Sequence, residues 1–136
     1  MRPTFMISSL IAMTALAATA IAAQLEMAMP KLVWDEAVAA LPKGDSSEVR
    51  VFTATLNPGD KTPTHTHRFP VITYVLEGSF TLERKGASTL TVNAGHVFLE
   101  TPGVETTGSN QSPDKVAKVI IFSVSTPNMP FLDPIK

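Results

Sequence analysis

The stretch Gly59-Asp60-Lys61-Thr62-Pro63-Thr64-His65-Thr66-His67, with Gly78 eleven residues beyond it, decides how this chain is read. In an extended strand successive side chains point to opposite faces, so His65 and His67 share a face and stand side by side on it. Two imidazoles converging in this way can ligate one metal ion. Two are seldom enough, because protein metal sites use a third donor, often a carboxylate, to fix affinity and geometry.

Outward from this stretch the chain reads as short strands. Glu48 to Leu56 alternates, with Val49, Val51 and Thr53 on one face and Phe52, Ala54 and Leu56 on the other, which is a strand period. Asn57-Pro58-Gly59-Asp60 turns the chain. Val71 to Val75 and Ser79 to Glu83 are strands around the Glu77-Gly78 break. Lys85-Gly86-Ala87-Ser88 is a hairpin turn, and Thr89 to Val92 returns from it. Val97 to Leu99 leads into Pro102-Gly103, and after a turn over Asn110 to Asp114 the strongly apolar Val116 to Val124 predicts a central strand. Strands at regular spacing with Gly and Pro punctuation predict an all-β sandwich or barrel. Before them, Leu25 to Lys31 is a Met-rich lead-in, and Trp34 to Leu41 predicts a short helical turn ended by Pro42 and Gly44, so that residues 23–47 precede the barrel.

The amino-terminal stretch carries a different signal. Arg2, an apolar run from Phe5 to Ile21 and the small-x-small Ala20-Ile21-Ala22 read as a secretory signal over residues 1–22, which predicts an exported protein without a membrane anchor once the signal is cleaved. The competing reading is an uncleaved anchor, the run being slightly shorter than a span needs. Cleavage leaves about 114 of the 136 residues, enough to bury a core without staples. The lack of Cys therefore does not decide the compartment. Net charge is −1, from 11 basic and 12 acidic residues. The basic residues are scattered among acidic ones, and no stripe exists to neutralise phosphates, which excludes nucleic acid as a partner.

Beyond these patterns the residues resemble the cupin superfamily, whose first motif is G, five residues, H-x-H, then E, then G. Gly59, His65, His67 and Gly78 fall in register with it. The second motif, a Pro-Gly turn followed by His and then Asn, is similar to Pro102-Gly103-Val104-Glu105-Thr106-Thr107-Gly108-Ser109-Asn110, with Gly95 upstream. The resemblance covers roughly residues 48–125 and implies a single jelly-roll β-barrel of RmlC-like type, exported to a bacterial periplasm. It also implies that the two motifs face each other across an interior cavity. Two of the family's four ligand positions are changed: its Glu falls on Val71 and its second-motif His on Thr106. The resemblance implies one divalent transition metal, among Fe, Mn, Ni, Zn and Cu, and homodimers.

The candidate site residues follow. His65 and His67 are the metal candidates, against the plainer reading of two hydrogen-bonding side chains at a cavity mouth. Glu105 is a replacement carboxylate if its strand slips by one residue, since such a slip exchanges faces. Val71, Tyr74 and Thr106 are the ligand-binding candidates, with Val71, Ile72, Phe98 and Phe122 as expected apolar lining. A neutral hydroxyl is a poor metal ligand, so Thr106 is expected to bond a ligand, a water or the backbone. Glu100 is expected as a strand-end carboxylate on solvent and His96 as an exposed turn residue. Asn110-Gln111-Ser112 matches a glycosylation sequon, taken as chance. The apolar tail, residues 126–136, is expected to pack on the barrel of its own chain or to cross to a second subunit. Two functions emerge: a small-molecule-binding protein with an incomplete His-x-His metal site, and a metal-dependent enzyme of dioxygenase or isomerase type that uses His65 and His67 with a replacement ligand.

Overall fold

Alternation of buried and exposed side chains organises the molecule, as a computed structural model of the chain describes it over residues 28–136. The secretory segment expected at residues 1–22 lies outside the described residues. Among those described there are nine strands: β1 (Glu48–Leu56), β2 (His65–Thr66), β3 (Val71–Glu77), β4 (Ser79–Arg84), β5 (Leu90–Asn93), β6 (Val97–Glu100), β7 (Thr106–Ser109), β8 (Ala117–Ser125) and β9 (Asp133–Pro134). They make a four-stranded sheet in the order β1-β8-β3-β6 and a five-stranded sheet in the order β5-β4-β7-β2-β9. The two sheets form the jelly roll, all-β as its spacing predicts. The strand expected to be central is β8, paired on one side with β1 and on the other with β3.

The helical turn expected over Trp34–Leu41 does not form; residues 28–47 contain neither helix nor strand. A single turn must fix several residues before it gains hydrogen bonds. Here Ala40 sits at φ 61°, which ends any right-handed run, and Leu32, Val33 and Leu41 stay exposed. The segment thus lacks the packed apolar face that stabilises most short helices.

Between the sheets lies the core, in which Leu56, Val75, Phe80, Leu82, Val92, Phe98, Ala117 and Val119 are buried together. Phe80 on β4 and Phe98 on β6 stack across the two sheets, ring centroids 5.4 Å apart and planes 11° from parallel. Such a pair adds about 0.5–1.5 kcal/mol beyond its buried area. The expected lining needs correction at two of four positions. Neighbouring residues cannot share a face of a strand: Val71, Thr73 and Val75 are buried, whereas Ile72 is half-buried on the opposite face and Phe122, its partner on β8, is exposed.

Two local devices fix how the chain enters the site. Gly78, at φ 70°, stands where a Cβ would collide with the Val116 carbonyl oxygen. Only a residue without a side chain lets β3 pass straight into β4 beside the register shift between Val75 and Glu77. Asn110 is almost fully buried; its amide donates to the Leu56 and Lys115 carbonyls and its oxygen accepts from the Ser112 amide. The sequon asparagine is a rivet that ties β1 to the turn before β8.

The tail closes the five-stranded sheet of its own chain. In β9, Pro134 pairs with His65 and Asp133 with Thr66, and the Ile135 amide donates to the Thr64 carbonyl at 2.8 Å. Arg68 clasps Asp133 through two bonds of 2.7 and 2.8 Å. Phe131 lays its ring on Phe52, centroids 4.4 Å apart. Among the described residues no helix is long and apolar enough to cross a membrane.

Candidate metal centre

The His-x-His pair stands on and just after β2, in the five-stranded sheet, and both rings are buried. Each ring is held from behind by a backbone carbonyl: His65 Nδ1 lies 2.7 Å from the Pro63 oxygen and His67 Nδ1 lies 2.8 Å from the Phe131 oxygen. A carbonyl only accepts, so each Nδ1 carries the hydrogen, and in a neutral ring that leaves Nε2 as a bare lone pair. The two Nε2 atoms face each other at 3.1 Å. Two lone pairs at that separation repel unless a cation lies between or beside them.

The third group comes from the other sheet. Glu100, at the end of β6 and 7% exposed, places Oε2 3.5 Å from His67 Nε2 and 3.8 Å from His65 Nε2. Donors bound to one ion at about 2.0–2.2 Å lie roughly 3–3.5 Å from one another, so His65, His67 and Glu100 close on a single ion with little adjustment. The three are a cluster able to hold a metal. Two imidazoles and one carboxylate suit a first-row transition metal, and they leave coordination positions open. Thr106, across the strand pair from His65, donates from Oγ1 to the same Glu100 oxygen at 3.1 Å, which orients the carboxylate as outer-shell partners of metal ligands do.

Charge agrees with this geometry. Burial by itself disfavours the His67 imidazolium, but the contact and charge of Glu100 and the Phe131 carbonyl together outweigh it, so the His67 pKa is raised. The site seeks positive charge. A metal ion supplies it without a proton.

The expected solvent position of Glu100 is therefore wrong: β6 alternates, Phe98 and Glu100 share its inner face, and Leu99 points away. Its partner across the strand pair is Val71, the position of the family's Glu. The interior thus has a carboxylate, carried by the residue directly opposite that position on the neighbouring strand. Val71 itself is buried beside it without a polar contribution. Glu105 does not reach the cluster; no slip occurs in β7, and Glu105 pairs instead with Lys85 Nζ at 2.7 Å. Tyr74 stands on the outer face of β3, between Ile120 and Val97 in register, and is not brought to the cavity. His96 is exposed as expected.

Behind the cluster lies a cavity of about 70 Å³ with apolar walls, among them Leu56, Phe80, Leu82, Val119, Phe131 and Leu132. Two hydroxyls reach it. Thr62 Oγ1 is engaged by the Gly108 amide at 2.9 Å, whereas Thr73, 1% exposed, has an Oγ1 without any hydrogen-bond partner.

Comparison with known proteins agrees with the architecture. The family described as cupin domain matches residues 52–123. No curated protein sequence matches the chain. Among solved structures, it is similar to a cupin-like protein from Thermotoga maritima (TM-score 0.54, 23% identity, 65% of this chain and 67% of that one). It is also similar to the DMSP lyase DddQ from Ruegeria pomeroyi (0.53, 13%, 62% and 41%) and to an RmlC-like cupin from Shewanella frigidimarina (0.51, 21%, 60% and 69%). At these identities the likeness is one of fold, and the chain spans less than half the length of the lyase.

Proposed function

The chain belongs to the cupin domain family, and from that premise we propose that it binds one divalent transition metal through His65, His67 and Glu100 and presents it to a small molecule in the barrel. The observation that carries this reading is the pair of imidazole Nε2 atoms 3.1 Å apart, each with its Nδ1 committed to a carbonyl and with a buried carboxylate alongside. Two Nε2 atoms face each other stably only with positive charge at hand: a proton on His67, directed to Glu100 and His65, or a metal ion, which all three donors can bind at once.

When bound, the metal supplies a Lewis acid, and a redox centre if it is iron, manganese, nickel or copper. The chain's own residues do the rest. The Pro63 and Phe131 carbonyls fix the ring tautomers, Thr106 holds the Glu100 oxygen, and the apolar walls exclude water from whatever occupies the cavity. This arrangement favours the metal-dependent reading over a non-catalytic binding protein with a vestigial site, because a carboxylate is present after all: Glu100 stands opposite Val71, and Thr106, though no ligand itself, holds it.

Elemental analysis of the protein purified without chelators, followed by titration with Zn²⁺, Fe²⁺ or Mn²⁺, tests it. Close to one equivalent per chain is expected. No metal on isolation and none taken up on titration overturns the proposal and returns the histidines to hydrogen bonding. Export and a homodimer belong to the same proposal, the first resting on the reading of residues 1–22. Amino-terminal sequencing of protein from the exported fraction and sedimentation at micromolar concentration test them.

A further inference from the structure

Resting on the metal reading above, we infer that the ligand is a small aliphatic monoanion with a second polar group at its far end, its acid group on the metal and its far end hydrogen-bonded to Thr73. Three observations lead there. Size comes first: 70 Å³, at about 10–15 Å³ for each water-sized group, takes roughly five to seven non-hydrogen atoms. Charge comes second. A divalent ion with two neutral imidazoles and one carboxylate keeps a single net positive charge, and no Lys or Arg lines the cavity. A monoanion balances that centre, whereas a dianion leaves a charge buried among apolar walls, which is costly.

The third observation is Thr73. A hydroxyl buried without a partner costs free energy, and native interiors rarely leave one so. Thr73 lies on the inner face of β3 two residues beyond Val71, and Val71 is the register partner of Glu100. Two strand residues advance about 6.5–7 Å, so Thr73 stands one inward row deeper than the metal ligands. The walls between are hydrocarbon. A chain of three or four carbons with terminal groups covers about 5–6 Å at the ~1.2 Å per bond of an extended backbone, which bridges that row. Thr62 Oγ1 is the weaker anchor, since it already accepts a bond from the Gly108 amide, whereas Thr73 Oγ1 has no partner at all.

The test uses the full chain loaded with Co²⁺, whose visible absorption reports what enters its coordination sphere. Butyrate and 4-hydroxybutyrate serve as probes; they share the acid and the chain and differ in the terminal hydroxyl. Both are expected to perturb the spectrum, with 4-hydroxybutyrate binding roughly three- to tenfold tighter, the net effect of one buried hydrogen bond. Thr73→Val, nearly isosteric, should take up Co²⁺ as the parent does and bind the two acids equally, while Thr73→Ser should keep the preference. Equal affinity of the two acids for the parent, or a preference that survives Thr73→Val, overturns the inference and leaves the metal site standing. A chain that takes up no Co²⁺ overturns the metal reading and, with it, this assignment. Normal Co²⁺ uptake with neither acid bound overturns the ligand class alone.

Discussion

Replacing Glu100 by Gln removes the only carboxylate of the cluster while keeping its size, and the consequence for metal binding can be worked through. Loss of an outer-shell partner alone weakens metal sites by about 10–100-fold, so loss of a charged ligand should cost at least ~100-fold. The assay is thermal unfolding with and without metal, each variant compared with its own metal-free form so that any change in intrinsic stability cancels. At a metal concentration about 100 times the parent's Kd, binding stabilises the parent by about 2.7 kcal/mol; a variant bound 100-fold more weakly gains only about 0.4 kcal/mol at the same concentration. For a domain of this size 1 kcal/mol moves Tm by roughly 3–6 °C, which predicts a metal-induced shift of about 8–16 °C in the parent and ~1–2 °C in Glu100→Gln. A companion variant makes the argument specific. Val71→Glu with Glu100→Val places the carboxylate at the family's position directly across the strand pair, where opposed Cβ atoms are about 4.5–5.5 Å apart, and it should recover at least half of the shift. If Glu100→Gln kept the parent's shift within about 2 °C on that scale, Glu100 would not be a ligand.

Two further outcomes follow from local geometry. Gly78→Ala forces a side chain against the Val116 carbonyl at a positive φ, so it should cost about 2–4 kcal/mol, read as a lower urea midpoint; a loss below about 0.5 kcal/mol, the scatter of an ordinary surface substitution, contradicts the close approach. The metal-free protein should also carry a pH dependence from His67, whose pKa is raised by Glu100 against the effect of burial. The stabilisation is fully present below the unfolded histidine value of about 6.5 and disappears as pH rises through the raised folded value. His67→Asn should therefore lose most relative to the parent under mildly acidic conditions and least in base. Metal uptake runs the other way and strengthens with pH, because the ion displaces that proton; a His67→Asn difference that grew toward high pH in the metal-free protein would contradict the sign.

Much of the fold was legible because strands announce themselves by alternation. β1, β3, β4, β5, β6 and β8 lie within a residue or two of the expected spans, each a run of alternating or apolar residues between Gly and Pro turns. β2 and β9 are two residues each, too short to carry a period, and β7 is the polar, glycine-containing Thr-Thr-Gly-Ser, whose strand character comes from its pairing with β4 and β2. The helical turn at Trp34–Leu41 failed for the opposite reason. Its composition favours a helix, but of its side chains only Trp34 and Val38 are even half-buried, too little packing to hold one.

At the site, the sequence by itself determined that His65 and His67 point one way, since that needs only the two-residue period of a strand and no knowledge of neighbours. It also contained the signal for Glu100, two residues after Phe98 on the same strand face. What it did not contain was which residues lie opposite each other across strands brought together from distant parts of the chain. Only the tertiary structure put Glu100 opposite Val71, Thr106 opposite His65 and the carbonyl of Phe131, sixty-four residues away, behind His67. Alternation along a strand is local stereochemistry, whereas the register between strands is set by the packing of the whole barrel, and a third ligand is a fact of register.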